Sequence, residues 1–156
     1  MNTSNSLIIR FATGADYANW LPLWQGYNAF YGRAGNTVLP NEITQATWGR
    51  FFNDSEPMYA LVAESESKLI GLAHYLFHRS TTLLHPTCYL QDLFVDETHR
   101  GEGVGKALIE AVYDQAKQAG SARVYWHTHE SNINAIQLYD KVAKKSGFLL
   151  YSKVLG

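Results

Sequence analysis

Cysteine is all but missing from this chain. Among 156 residues Cys88 is the one thiol, so no internal disulfide can form and nothing marks an oxidising compartment. Charge of either sign is not in excess: 13 lysines and arginines stand against 14 aspartates and glutamates, for a net charge of −1. That balance excludes the broad basic footprint of a nucleic-acid binder. No apolar run approaches the ~20 residues of a membrane-spanning helix. The stretch Met1–Ser6 is polar and lacks a basic segment followed by an apolar one, so no signal peptide is expected, and the expected location is cytoplasmic. Internal repeats and linkers are also lacking, which makes residues 1–156 one expected domain. What the chain does have, 46% hydrophobic and 17% charged residues, is the composition of a globular protein.

The chain is organised around Gln91–Leu108. An apolar run bounded by acidic residues leads into glycines at every second position, Gly101, Gly103 and Gly105, and then into an amphipathic pattern. That is a strand, a tight loop and a helix. Glycines allow a loop to turn several N–H groups toward one point, and the following helix aims its unpaired N-terminal N–H groups there too. An anion is expected at that point, with Arg100 and Lys106 adding charge suited to a diphosphate. The spacing is not that of a P-loop, because Lys106 is followed by Ala107, and it fails the dinucleotide fingerprint at the third glycine.

Elsewhere the pattern predicts a strand over Leu7–Ala12 and a helix carrying Tyr17, Trp20, Leu21, Trp24, Tyr27, Phe30 and Tyr31, which Pro22 is expected to kink or divide. Trp20 and Trp24 read as core. Tyr27, Tyr31 and the loop Gly32–Asn36 fall where recognition residues often lie. A second helix is predicted over Asn41–Asn53, a hairpin of strands over Met58–Glu64 and Lys68–His78, and a strand over Cys88–Val95. A helix over Val104–Ala119 stops at Gly120. A strand Arg123–Thr128, a helix starting at Asn132 and closing at Lys144–Gly147, and a last strand Phe148–Val154 complete an α/β chain, a mixed sheet flanked by helices.

Two motifs in order and at the right distance carry a resemblance. The loop Arg100-Gly101-x-Gly103-x-Gly105, after a Leu-x-Val strand, and Asn132-x-x-Ala135-x-x-Leu138-Tyr139-x-Lys141 resemble the GCN5-related N-acetyltransferase (GNAT) superfamily. Tyr89-x-x-Asp92-Leu93-x-Val95-Asp96-Glu97 and Val124-Tyr125-Trp126-x-Thr128-x-Glu130-Ser131-Asn132 look most like its fungal histone-type and D-amino-acid N-acetyltransferase branch and bacterial relatives. The resemblance implies the GNAT fold, an acetyl-CoA co-substrate, a homodimer, and direct attack of a primary amine on the thioester in a ternary complex. The acceptor class is left open among small amines, amino acids, polyamines and lysine side chains. A catalytically silent acyl-CoA sensor of the same fold is the alternative.

The resemblance also implies roles for particular residues. The carrier would be bound by Leu93, Phe94, Val95, Arg100, Gly101, Glu102, Gly103, Val104, Gly105, Lys106, Asn132 and Tyr139. Tyr139 matches the family's general acid: a phenol of unperturbed pKa ~10 keeps its proton at neutral pH and can supply it to a departing thiolate. Asp92 reads either as a general base, acting directly or through ordered water, or as a structural carboxylate capping a turn. Tyr27, Tyr31 and Gln91 are the candidate acceptor contacts; Gln91 stands where polyamine-type relatives usually carry glutamate. No metal is expected, since His127 and His129, or His74 and His78, offer pairs where three or four ligands are needed.

Overall fold

The computed structural model describes residues 6–156, so most of the polar N-terminal stretch, Met1–Asn5, lies outside the described residues. Strand β1 (Leu7–Phe11) leads to helix α1 (Tyr17–Phe30) and helix α2 (Asn41–Arg50). Strands β2 (Met58–Ser65), β3 (Lys68–His78) and β4 (Thr87–Val95) follow, then helix α3 (Val104–Gln118), strand β5 (Val124–Tyr125) and helix α4 (Ile133–Val142). The sheet order is β1-β2-β3-β4-β5. The first four strands pair antiparallel and β5 joins β4 in parallel.

Each face of the sheet carries its own core. On one, Leu108, Ile109, Val112 and Ala116 of α3 pack with Leu61, Ala63, Ile70, Ala73, Tyr75, Cys88 and Leu90. On the other, Trp20, Leu23, Trp24 and Tyr27 of α1 pack with Val62, Leu69 and Leu72. Strand β3 is thus covered on both sides, which is why it reads as an unbroken apolar run and not as an alternation. Trp20 and Trp24 are core, as their spacing predicts.

Four expectations are corrected. Pro22 does not divide α1: the helix runs unbroken from Tyr17 to Phe30 with Pro22 on its exposed side, and the packing of Trp20, Leu23 and Trp24 keeps it together. Helix α2 ends at Arg50, with Phe51 and Phe52 in a turn. The strand expected over Arg123–Thr128 is confined to Val124–Tyr125. Finally, Phe148–Val154 is not a strand: α4 ends at Val142, Ala143 turns to extended backbone (φ −152, ψ −176), and residues 143–156 run on without regular structure. A strand needs a bonding partner, and here this segment has none to give it one.

The turn into α1 is fixed by charge. Arg10 Nη1 and Nη2 donate to Asp16 Oδ2 and Oδ1 at 2.7 and 3.0 Å, and the Thr13 N–H donates to Oδ2 at 2.7 Å. The Arg10 guanidinium holds the Asp16 carboxyl at about 2, below the ordinary 3.8. Since folding lowers this pKa, the stabilisation is complete above pH 4 and is lost as pH falls toward 2. Asp16→Asn is expected to remove about 2 kcal/mol at neutral pH. Melting curves from neutral pH down through that window should show wild type converging on the variant.

Candidate active site

At the centre of β4 the ladder is interrupted. His74 pairs with Asp92 and Tyr75 with Leu90, so Gln91 is an extra residue, a β-bulge. Bulges re-aim side chains, and here Gln91 is exposed between buried Leu90 and buried Asp92. Asp92 Oδ2 lies 2.9 Å from His74 Nδ1, while Trp20 Nε1–H donates to His74 Nε2 at 3.0 Å. An indole N–H can only donate, so Nε2 is the acceptor and the proton sits on Nδ1, which donates to Asp92. Asp92 is therefore oriented by a side-chain chain running back into α1. His74 and Trp20 were not singled out in the sequence for this role. The signal was present: a histidine inside the apolar run Leu69–Tyr75 needs a buried partner.

Aromatic side chains gather around that carboxylate. Tyr27 is buried, and burial first, then Asp92, pushes its phenol up from the ordinary value. Tyr31 and Tyr89 are pushed up by burial first, and Asp92 contributes to both. Arg33 reaches the same rings from the loop after α1, its Cζ 6.0 Å from the Tyr27 centroid and 5.6 Å from that of Tyr31. Nε of Arg33 donates to Asn28 Oδ1 at 2.6 Å, which holds the guanidinium in place. A buried anion and a fixed cation thus flank one pair of tyrosines.

On α4, Tyr139 packs its ring edge-on against Trp126 at 5.3 Å. Burial, with a smaller contribution from Tyr31, pushes its phenol up to about 12. Among the described residues no group holds the Tyr139 hydroxyl. It is protonated throughout the neutral range and free to meet a ligand.

Between Asp92 and Tyr139 the sheet opens. β5 pairs with β4 at Cys88↔Val124 and Tyr89↔Tyr125 and then ends, so Leu90–Val95 present a strand edge that β5 does not cover. Such an edge can pair with an extended ligand. Beyond it Gly101 and Gly103 both adopt φ +82, and a Cβ on either would point into open space. Gly103 caps α3, leaving that helix's first N–H groups directed outward. This cradle fits the diphosphate arm of acetyl-CoA. Gly105 differs from its neighbours: it is helical, and a Cβ there would come within 3.2 Å of Leu138 Cδ2. Its missing side chain lets α4 close onto α3.

The loop cations are turned in particular directions. Arg100 donates from Nε to the Val95 carbonyl at 3.2 Å and lies 5.5 Å from the Phe94 centroid. Lys106 stands 4.0 Å from Glu110 on the exposed side of α3. Glu102 accepts from His99 at 3.0 Å. Asn132 stands at the N-terminal boundary of α4 with its Nδ2 donating to Thr128 Oγ1 at 3.3 Å, and it lines a cleft of about 570 Å³ with Tyr31 and Phe30. Among the described residues no group of three or more His, Cys, Asp and Glu side chains could hold a metal. No helix of the described residues is long and apolar enough to cross a membrane.

A five-stranded mixed sheet, split between β4 and β5 beside a glycine-rich helix start, is the architecture of the acyl-CoA N-acyltransferases. The sequence model of the Acetyltransferase (GNAT) family matches residues 20–143, and the chain belongs to that family. It is an acetyl-CoA-dependent N-acetyltransferase. Among curated relatives, the D-amino-acid N-acetyltransferase HPA3 of Saccharomyces cerevisiae is 35% identical over 152 residues, covering 96% of this chain and 92% of its own. Human N-acetyltransferase 8 is 37% identical over 87 residues, 55% of this chain and 38% of its own length. Among solved structures, the aminoglycoside acetyltransferase AAC(6')-Iy bound to a bisubstrate analogue superposes with a TM-score of 0.81 at 16% identity, covering 96% of this chain and 99% of that one.

Proposed function

We propose that this chain transfers the acetyl group of acetyl-CoA to the α-amine of a free amino acid, by direct attack within a ternary complex. The observation that carries this reading is that the buried Asp92 carboxylate and the Arg33 guanidinium both lie beside Tyr27 and Tyr31. A zwitterion offers an ammonium to the buried carboxylate and a carboxylate to the guanidinium. A polyamine would place its second cation against Arg33, which disfavours it. The naming of the yeast relative as a D-amino-acid N-acetyltransferase supports the same acceptor class.

In this reading acetyl-CoA supplies an activated thioester, held by the Leu93–Val95 edge, the loop Arg100–Lys106 and Asn132. Asp92, fixed by His74, receives the acceptor's ammonium and takes its proton, directly or through ordered water, leaving a nucleophilic amine. Nitrogen bonds to the thioester carbonyl carbon, the carbon–sulfur bond breaks as Tyr139 gives its proton to the departing thiolate, and the second proton that the nitrogen loses on becoming the amide restores the Tyr139 phenol, while Asp92 releases the first to solvent. Tyr27 and Tyr31 position the acceptor, and Gln91, exposed at the bulge, contacts it from outside. A relay through the cysteine is disfavoured, because Cys88 is fully buried and burial pushes its thiol up to about 12. The test is thiol release from acetyl-CoA across D- and L-amino acids, polyamines, aminoglycosides and histone-tail peptides. Turnover is expected with amino acids and not with their decarboxylated amines. Equal turnover with both would remove the role given to Arg33.

A further inference from the structure

We propose, on the free-amino-acid reading of this same site, that Tyr89, Tyr125 and His127 receive the acceptor's side chain and select an aromatic one, so that the preferred acceptors are phenylalanine, tyrosine and tryptophan. The bulge in β4 brings Tyr89 to Asp92. In a regular strand two residues three positions apart point to opposite faces. Here Gln91 is extra and the count shifts by one. Leu90 and Leu93 accordingly pack with the α3 core, while Asp92 turns to His74 and, through it, to Trp20 of α1. Tyr89, flanked by Cys88 and Leu90 of the α3 core, lies on the same face as Asp92. After burial and Tyr125, it is Asp92 and Tyr31 that act on the Tyr89 phenol.

Around Tyr89 the rings form a triangle. Tyr125 is its partner in the parallel pairing and has its centroid 4.8 Å away, while His127 lies 5.5 Å from Tyr89 and 5.9 Å from Tyr125. Among the described residues, none of the three is part of either hydrophobic core; Tyr89 and Tyr125 are half-buried and His127 is exposed. Both hydroxyls are engaged. Tyr89 Oη is 3.0 Å from His127 Nδ1, and Tyr125 Oη is 2.7 Å from His78 Nε2. His78 Nδ1 donates to the Arg79 carbonyl at 2.9 Å, so Nε2 of the neutral ring accepts from the Tyr125 hydroxyl. What the two tyrosines offer a ligand is therefore ring surface, on which a flat apolar side chain gains by stacking or edge contact. Arg123, its Cζ 4.5 Å from the Tyr125 centroid, closes the outer end with positive charge and disfavours a lysine or arginine side chain. The acceptor's orientation agrees. With its ammonium on Asp92 and its carboxylate toward Arg33 on the α1 side, the third substituent is left the direction along β4 toward Tyr89.

The test is kcat/KM for phenylalanine, cyclohexylalanine, alanine and lysine, each in the enantiomer turned over faster, in wild type, Tyr125→Leu and Tyr125→Phe. Wild type is expected to favour phenylalanine over alanine and lysine by at least about tenfold, and over cyclohexylalanine, of similar bulk without a π face, by at least about threefold. Tyr125→Leu removes the ring and should lower the phenylalanine-to-alanine ratio by about three- to tenfold; Tyr125→Phe keeps the ring and should hold the ratio within about twofold. A merely structural role for Tyr125 would lower both acceptors together and leave the ratio unmoved, which overturns the proposal. If Tyr125→Leu does not fold, the cyclohexylalanine comparison in wild type decides. Amino acids turned over with alanine or cyclohexylalanine equal to phenylalanine overturn the side-chain subsite alone. Turnover of peptides or aminoglycosides with no free amino acid accepted overturns it together with the amino-acid reading.

Discussion

Tyr139→Phe lowers kcat by about 10²- to 10³-fold while acetyl-CoA affinity changes by less than about twofold. The split follows from the position of the hydroxyl. The ring, packed on Trp126, is retained in the variant, so the wall of the groove and the fold are conserved. What is removed is one O–H that, among the described residues, no group holds, and that burial, which pushes its pKa up to about 12, keeps protonated. That proton matters when charge develops on sulfur and not before, so the loss falls on turnover and not on binding. The same pKa fixes the sign of a pH effect. Wild-type kcat should show no alkaline limb from Tyr139 below pH 10, since the phenol loses its proton only as pH rises toward about 12. Single-turnover thiol release beside equilibrium titration of acetyl-CoA separates the two quantities.

Asp92→Asn is expected to lower kcat/KM for the amine by about 10²- to 10³-fold, through both a raised KM and a lowered kcat. The asparagine carbonyl can still accept from His74 Nδ1–H, so the buried chain from Trp20 is preserved and thermal stability should change little. The negative charge that holds the ammonium and takes its proton is gone. Asp92→Ala makes an informative contrast: it leaves the His74 donor buried and unpaired, and a stability loss of about 1–3 kcal/mol should accompany the lost activity. Steady-state kinetics with the best acceptor, run beside melting curves, distinguishes loss of a chemical group from loss of fold. An unchanged amine KM in Asp92→Asn would remove Asp92 from the acceptor site.

Much of this architecture was legible because helix and strand periods are local. The apolar spacing of Leu108, Val112 and Ala116 and the continuous run of β3 each specify an element without reference to its neighbours. The glycine loop was legible for the same reason, since left-handed backbone at Gly101 and Gly103 leaves a direct mark on residue choice. What was not legible depends on contacts between distant residues. The bulge at Gln91 arises from register against β3, and the His74–Asp92 pair joins positions 18 apart. Arg33, noted in the sequence as a loop residue, acquires its meaning only from lying beside Tyr27 and Tyr31. Phe148–Val154 shows the limit most plainly. Its sequence is that of a strand, but strand formation requires a partner, and in a single chain the composition calls for one that the fold does not provide.

Direct transfer between Asp92 and Tyr139 is the claim on which the rest depends. Initial-velocity kinetics, with acetyl-CoA and the amino-acid acceptor varied against each other, tests it most directly. Intersecting double-reciprocal lines, with no acetylated protein detectable by mass spectrometry when the amine is withheld, are the predicted result. Parallel lines together with a covalent acetyl-protein would contradict it and place a nucleophile of the chain between donor and acceptor.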